Sequence, residues 1–273
     1  RLGRDRLILS RAVLARGGGD RQGVRMETSA VWLQVPGHDV DLEVVRYGAW
    51  GRPVLLFPSE GGSARDAQGN GMLDAVRPLI EAGRVSLFCV DSMDGWTWSA
   101  NDQPTEERAR RAQTYTAWLS QQVLPWIQEQ VGGGQERITV GVSLGASHAV
   151  HRTVQRADVA PMAIGLSGNY DPTSWNGWGE LGDATYFANP TAYVANMDGD
   201  HLDWIRSRVS VLPVGGEGPF EVSPTRSLPA TREFAALLAD KGIRYELDVW
   251  GHDSAHDWPW WQRQLAHHLQ RFV

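Results

Sequence analysis

The chain holds a single cysteine, Cys89, so no disulfide can form within it. The folded state must therefore rest on a packed core, and one thiol in the apolar run Val85-Ser86-Leu87-Phe88-Cys89-Val90 reads as a small buried side chain. Such cysteine usage fits a reducing compartment, and the expectation is a cytoplasmic protein. No apolar run approaches the roughly 20 residues a membrane helix needs, so no membrane span is expected. A cationic excess is also lacking. The formal net charge is -6, which speaks against nucleic acid as a partner, because phosphate binding needs a positive surface. Low complexity and internal repeats are absent as well.

What remains is an ordinary globular composition, 42% hydrophobic and 21% charged, in 273 residues, enough for one large domain with a substantial core. Residues 1–25 differ from the rest: Arg-rich, with Gly17-Gly18-Gly19, and ending just before Met26. Arg11 and Arg16 interrupt their apolar stretches, so no secretory core forms. They are expected to be a flexible or non-native extension, leaving 26–273 as a single domain.

From Met26 onward, strand and helix patterns alternate. Strands are expected at 30–35, 41–47, 53–57, 85–90, 137–142, 162–166, 209–214 and 244–250. Helices are expected at 72–82, 104–130, 144–156, 227–241 and 258–271. Short, nearly continuous apolar strands separated by helices imply a mostly parallel central sheet with helices on both faces, an α/β fold. The first two strands have no helix between them and suit an antiparallel hairpin. The Asn-, Gly-, Trp- and Asp-rich stretch 169–205 suits a cap or active-site insertion.

Gly141-Val142-Ser143-Leu144-Gly145 is the one Gly-x-Ser-x-Gly in the chain. It sits between a strand, Arg137–Val142, and the helix-compatible segment from Leu144 onward. A serine on a sharp strand-to-helix turn exposes its hydroxyl, and side chains two residues either side would collide, which favours glycine. Ser143 is therefore the candidate nucleophile. Its hydroxyl needs a base. In this chain order the base follows the last strand, where His252 and His256 compete. His256 is favoured by position, because it precedes Asp257, a candidate helix N-cap, with Pro259 in the first turn. The spacing His252-x-x-x-His256 is also that of a metal pair, but a loop setting presents no helical face, and no metal is expected. The acid should follow the preceding strand, where Gly215-Gly216-Glu217-Gly218-Pro219-Phe220-Glu221 offers two carboxylates, with Glu221 taken as the acid and Glu217 as the alternative. The oxyanion donors are expected to be the backbone N–H of Leu144 and one from Pro58-Ser59-Glu60-Gly61-Gly62, with Glu60 ahead of Ser59.

Several features take blander readings. His148 and His151 are expected to play core or surface roles on the helix after the nucleophile. Asp198-Gly199-Asp200-His201 is expected to cap a helix rather than bind metal. Arg108, Arg110 and Arg111 are expected to form a solvated helix face. Trp96, Trp98, Trp175 and Trp178 are candidates for lining a substrate pocket.

These segments resemble the esterase branch of the α/β hydrolases that includes S-formylglutathione hydrolases of the esterase D type, feruloyl esterases and mycolyltransferases. An uncharacterised bacterial esterase-like subgroup is especially similar. The resemblance runs from about residue 50. It includes Phe57-Pro58-Ser59-Glu60-Gly61-Gly62, Tyr115 to Pro125, the elbow, Gly165-Leu166-Ser167-Gly168-Asn169-Tyr170-Asp171 and His256-Asp257-Trp258-Pro259-Trp260-Trp261. In that branch the catalytic histidine is often followed by tryptophan two and five positions later, as His256 is by Trp258 and Trp261, and His252 is not. The resemblance implies an α/β-hydrolase fold and hydrolysis of an ester or thioester of a small molecule through an acyl-serine, without a cofactor. Acyl transfer by the same residues and an inactive binding scaffold are the alternatives. Two departures stand out: Pro58-Ser59 replaces the usual His-Gly, and glutamate replaces the usual aspartate. Oligomeric state is not legible, and self-association is left open.

Overall fold

The computed structural model describes residues 26–273. The segment 1–25, expected above to be an extension, lies outside them. The runs read as doubly covered strands lie at the centre of one sheet. The strands are β1 (Thr28–Gln34), β2 (Asp41–Tyr47), β3 (Arg52–Phe57), β4 (Val85–Val90), β5 (Ile138–Val142), β6 (Met162–Leu166), β7 (Ser210–Gly216), β8 (Arg244–Tyr245) and β9 (Asp248–Trp250). The helices are α1 (Asp66–Gly69), α2 (Met72–Glu81), α3 (Thr105–Trp118), α4 (Leu124–Val131), α5 (Leu144–Gln155), α6 (Asp183–Ala188), α7 (Pro190–Ala195), α8 (Gly199–Arg208), α9 (Ser227–Asp240) and α10 (Trp258–Leu269).

The sheet order is β1-β2-β4-β3-β5-β6-β7, with β8 and β9 both beside β7. β1 and β2 pair antiparallel, as do β2 and β4, and every later pair is parallel. Side chains alternate across the sheet. Val54, Leu56, Val85, Leu87 and Cys89 pack with α2 and α10 on one face. Leu55, Phe57, Phe88 and Val90 pack with α3 and α4 on the other. Each such fully buried side chain contributes on the order of 1.5–3 kcal/mol, which fixes the register of the central strands.

The chain reverses direction across the sheet at β3, which has β4 on one side and β5 on the other. The loops after β3 and β5 thus meet at the carboxyl edge of the strands, where open α/β sheets form their crevices. The segments bearing Glu60 and Ser143 are those loops.

Three expectations change. The helix expected at 104–130 is broken by a π-helical turn, Leu119–Val123, between α3 and α4. Pro125 has no N–H to give to the preceding turn, and the helix widens just before it. The strand expected at 244–250 splits into β8 and β9. Its register against β7 is unchanged across the gap, so only the ladder is interrupted, at the exposed pair Glu246-Leu247. The insertion 169–205 carries its own helices, α6, α7 and most of α8.

Candidate active site

Ser143 stands between β5 and α5, at the N-cap of the helix, with φ 55° and ψ -123°, a left-handed backbone conformation that a serine adopts only under constraint. The constraint is close backbone packing. A Cβ on Gly141 would stand 1.9 Å from the Gly145 carbonyl oxygen, and one on Gly145 would stand 2.1 Å from that of Pro58. The two glycines therefore let the elbow close on itself and on the loop after β3. Ser143 N–H donates to Leu166 O at 2.9 Å, tying the elbow to β6.

The hydroxyl at 143 and the imidazole at 256 meet. His256 Nε2 lies 2.9 Å from Ser143 Oγ. His256 reaches the site from the loop between β9 and α10. That loop is fixed by His256 N–H donating to Pro219 O at 3.0 Å and Gly218 N–H to Ser254 O at 3.0 Å. Trp261 Nε1 lies on the first turns of α10, and its ring packs edge-on against His256, 5.0 Å between centroids. His252 instead is an exposed residue whose Nδ1 stands 3.5 Å from Glu217.

Of the two candidate acids, Glu221 faces the histidine. Its carboxylate is fully buried, with Oε2 3.8 Å from His256 Nδ1. Oε1 accepts from Ser167 Oγ at 2.5 Å, and Ser167 Oγ in turn accepts from Trp261 Nε1 at 2.9 Å. Glu217 points away and pairs with Arg232 at 3.0 Å. A further oxygen, Ser227 Oγ, lies 3.3 Å from His256 Nδ1 and donates its own proton to Thr225 Oγ1 at 2.9 Å. With its hydrogen spent there, Ser227 is an acceptor for an Nδ1–H. The arrangement favours the tautomer that leaves Nε2 free to receive the serine proton.

The two residues expected to supply the oxyanion N–H groups, Leu144 and Glu60, line one cavity. Leu144 begins α5, where the first amides have no intrahelical acceptor. Neither Leu144 N–H nor Glu60 N–H has an acceptor among the described residues, and both residues line the cavity that holds Ser143, whereas Ser59 does not. The loop bearing Glu60 is anchored by buried Asp94, which accepts from Gly61 N–H at 3.1 Å and meets His148 Nε2 at 3.1 Å. His148 is thus a partly buried tie between α5 and this loop.

The family model described as "Putative esterase" matches residues 70–272. The chain belongs to this esterase family. No curated protein sequence matches it. A ferulic acid esterase superposes with TM-score 0.67 at 15% identity, covering 90% of this chain and 96% of that one. An S-formylglutathione hydrolase from Staphylococcus aureus gives 0.65 at 12%, covering 93% and 99%. MPT51 of Mycobacterium tuberculosis gives 0.66 at 14%, covering 91% and 98%. At these identities the likeness shows the shared α/β-hydrolase fold.

The esterase cavity around Ser143 has a volume of about 360 Å³ and is walled by Trp98, Trp175, Asn101, Asn169, Asn176 and Thr225, among others. Of the tryptophans expected in a pocket, Trp98 and Trp175 line it, edge to face at 5.5 Å. Trp178 lies outside, its indole N–H on Asn101 O at 3.1 Å. Trp96 stacks under Arg111. Arg108 departs from the solvated face expected for it: it is fully buried. Its guanidinium donates to Trp98 O, Asn101 Oδ1 and Trp175 O at 3.0 Å, and to Asn176 O at 2.9 Å, clamping the cavity wall to α3. Arg110 and Arg111 do lie outward, paired with Glu107. Glu106, one turn earlier, accepts N–H groups from Gly182, Ala184 and Thr185 at 2.9–3.0 Å and so caps α6 from another helix. Its carboxyl is held below the ordinary range: burial opposes this, but the hydrogen bonds from Thr185, Ala184 and Gly182 outweigh it.

Two expected caps are not made. Asp198 and Asp257 occupy the N-cap positions of α8 and α10, but neither side chain bonds a backbone N–H. Ser167 and Ser227 were not singled out by residue pattern, because a lone serine has no spacing signature. His252 and His256 do not form a pair. Asp248, His267 and His268 bring ligand atoms within 4.8 Å of one another, on the flank formed by β9 and α10. Arg271 donates to His268 Nδ1 at 3.1 Å, however, which leaves the proton on Nε2, the nitrogen that faces Asp248 at 3.0 Å. That tautomer does not suit a metal ligand at Nε2.

Proposed function

We propose that this esterase cleaves a carboxylic ester or thioester of a small molecule through an acyl-serine intermediate, with Ser143 as nucleophile, His256 as base and Glu221 as the acid. The observation that carries the reading is the 2.9 Å contact between Ser143 Oγ and His256 Nε2, made across the site from a loop far along the chain. Ser143 Oγ attacks the carbonyl carbon while its proton passes to His256 Nε2. The carbonyl electrons move to oxygen, where the N–H groups of Leu144 and Glu60 receive the negative charge. The tetrahedral intermediate then collapses, the bond to the leaving oxygen or sulfur breaks, and the imidazolium returns its proton to that atom. Water repeats the sequence on the acyl-serine, releasing the acid and free Ser143. Glu221 orients and stabilises the imidazolium. Ser227 holds Nδ1 in the resting state.

The cavity supports short, polar substrates. Its volume of about 360 Å³ lies at the low end of small-molecule pockets, and its amide and hydroxyl groups would be stranded against a long alkyl chain. The test is rapid acid quench of the protein with short-chain p-nitrophenyl esters and thioesters, followed by mass analysis. An adduct on the peptide bearing Ser143 that decays in water is expected. Decay that accelerates only with an added alcohol would make the protein an acyltransferase. No adduct in folded protein would make it a scaffold.

A further inference from the structure

Three arginines among the described residues are buried to 2% exposure or less, and they are satisfied differently. The terminal nitrogens of Arg108 are held by the cavity-wall oxygens named above, and its Nε has no acceptor. Arg137 reaches Gln128 Oε1 at 2.7 Å and Leu124 O at 3.4 Å within the fold. Arg152, on the last turn of α5, gives one bond from each terminal nitrogen, to Ser120 Oγ at 2.6 Å and Gln155 Oε1 at 2.8 Å, and its Nε, like those of Arg108 and Arg137, has no acceptor. No carboxylate lies within 4.0 Å of it among the described residues. Burial draws its pKa down to about 10, so it remains a cation at neutral pH.

Unlike the other two, Arg152 lines an open groove of about 630 Å³ between the end of α5, the π-helical turn and the segment from α6 to α8. The π turn is what brings Ser120 to the guanidinium, and such turns recur at functional sites. Asn196 and His201 stand exposed at the groove, and the exposed ring of Phe187 with Met197 gives it an apolar wall. The neighbouring Arg156 is already taken by Asp158, at 2.8 and 2.7 Å. Asp198 is the one carboxylate among the lining residues, exposed at the start of α8. A buried, uncompensated guanidinium is costly, and an anion reaching it gains charge-assisted hydrogen bonds in a low-dielectric setting.

We propose that this groove is a binding site, separate from the Ser143 cavity, for a small molecule bearing a carboxylate or phosphate group, held by Arg152, with its apolar part against Phe187. An inner cavity of about 220 Å³ lies between the two sites: it shares Gln155 and Phe187 with the groove, and Trp98 and Trp175 with the catalytic cavity.

The experiment is titration of the whole protein with inorganic phosphate and, separately, with benzoate at constant ionic strength, followed by calorimetry and by amide chemical shifts. Saturable binding of one of them is expected, which also decides between the two anion sources. Affinity should fall at least about tenfold in Arg152→Met and stay unchanged in Ser143→Ala. Asn196→Asp, an exposed change that leaves the core alone, should also weaken binding by placing a second carboxylate at the groove. It serves if Arg152→Met does not fold. Absence of saturable binding by folded wild type, equal binding by Arg152→Met and Asn196→Asp, or loss of binding in Ser143→Ala would overturn the site. None of these readings depends on ester turnover, so the groove and the catalytic proposal fail separately.

Discussion

The two halves of the Ser143 site are built by different means. On the nucleophile side, geometry is local: a left-handed serine between two glycines, each in near contact with backbone, positions Oγ and the Leu144 N–H together. On the acid–base side, groups arrive from separate loops and helix starts. Ser167 follows β6, Glu221 lies between β7 and α9, Ser227 opens α9, His256 lies between β9 and α10, and Trp261 lies on α10. These are joined by side-chain hydrogen bonds, with a 3.8 Å gap left between Glu221 and His256. The nucleophile half is therefore rigid by construction. The acid–base half is rigid only as far as its hydrogen bonds hold.

The largest effect expected from breaking this comparison is on the nucleophile itself. Ser143→Ala should lower ester turnover by about 10⁴-fold or more, with folding intact, measured by steady-state hydrolysis of a short aryl ester. Glu221→Gln comes next, with a loss of about 10²- to 10⁴-fold, while Glu217→Gln should leave turnover within about twofold. Equal effects of the two glutamates would break the assignment. Gly145→Ala tests the local half through stability. Its Cβ would stand 2.1 Å from a carbonyl oxygen, and a loss of about 2–4 kcal/mol in denaturant unfolding is expected.

Ser227→Ala should cost less, about five- to tenfold in kcat with KM little changed, since one neutral hydrogen bond is at stake. The smallest effect concerns the cap that Glu106 places on α6. Its carboxyl is depressed in the folded state, so its stabilising contribution is full above the unfolded carboxylate pKa and is lost as pH falls through the lower folded value. Thermal unfolding of wild type should therefore weaken more steeply on acidification than that of Glu106→Gln. Parallel curves would contradict the cap.

What could be read from the sequence follows the same division. Ser143, Leu144 and the strand–turn–helix around them are fixed by spacing within a few residues, and the apolar runs of β3, β4 and β5 carry the sheet. His256 was separable from His252 by its place before Pro259 and by the tryptophans that follow. The choice between Glu221 and Glu217 was not legible, because a loop with glycines on both sides sets no face. Only the fold turns one carboxylate inward and the other toward Arg232. Arg108 was misread for a related reason: the first half of its helix is dense in charge, from Glu106 to Arg111, and the backbone that covers its guanidinium comes from the distant residues Trp175 and Asn176. The π turn before Pro125 and the split of β8 from β9 are tertiary accommodations that periodicity does not register.

The most direct test of the central geometry is labelling with a fluorophosphonate probe, read by peptide mass analysis in wild type, Ser143→Ala and His256→Ala. Wild type should carry the adduct on Ser143, neither variant should label at a comparable rate, and His252→Ala should label as wild type does. Equal labelling of His256→Ala, or an adduct on another residue, would contradict the account.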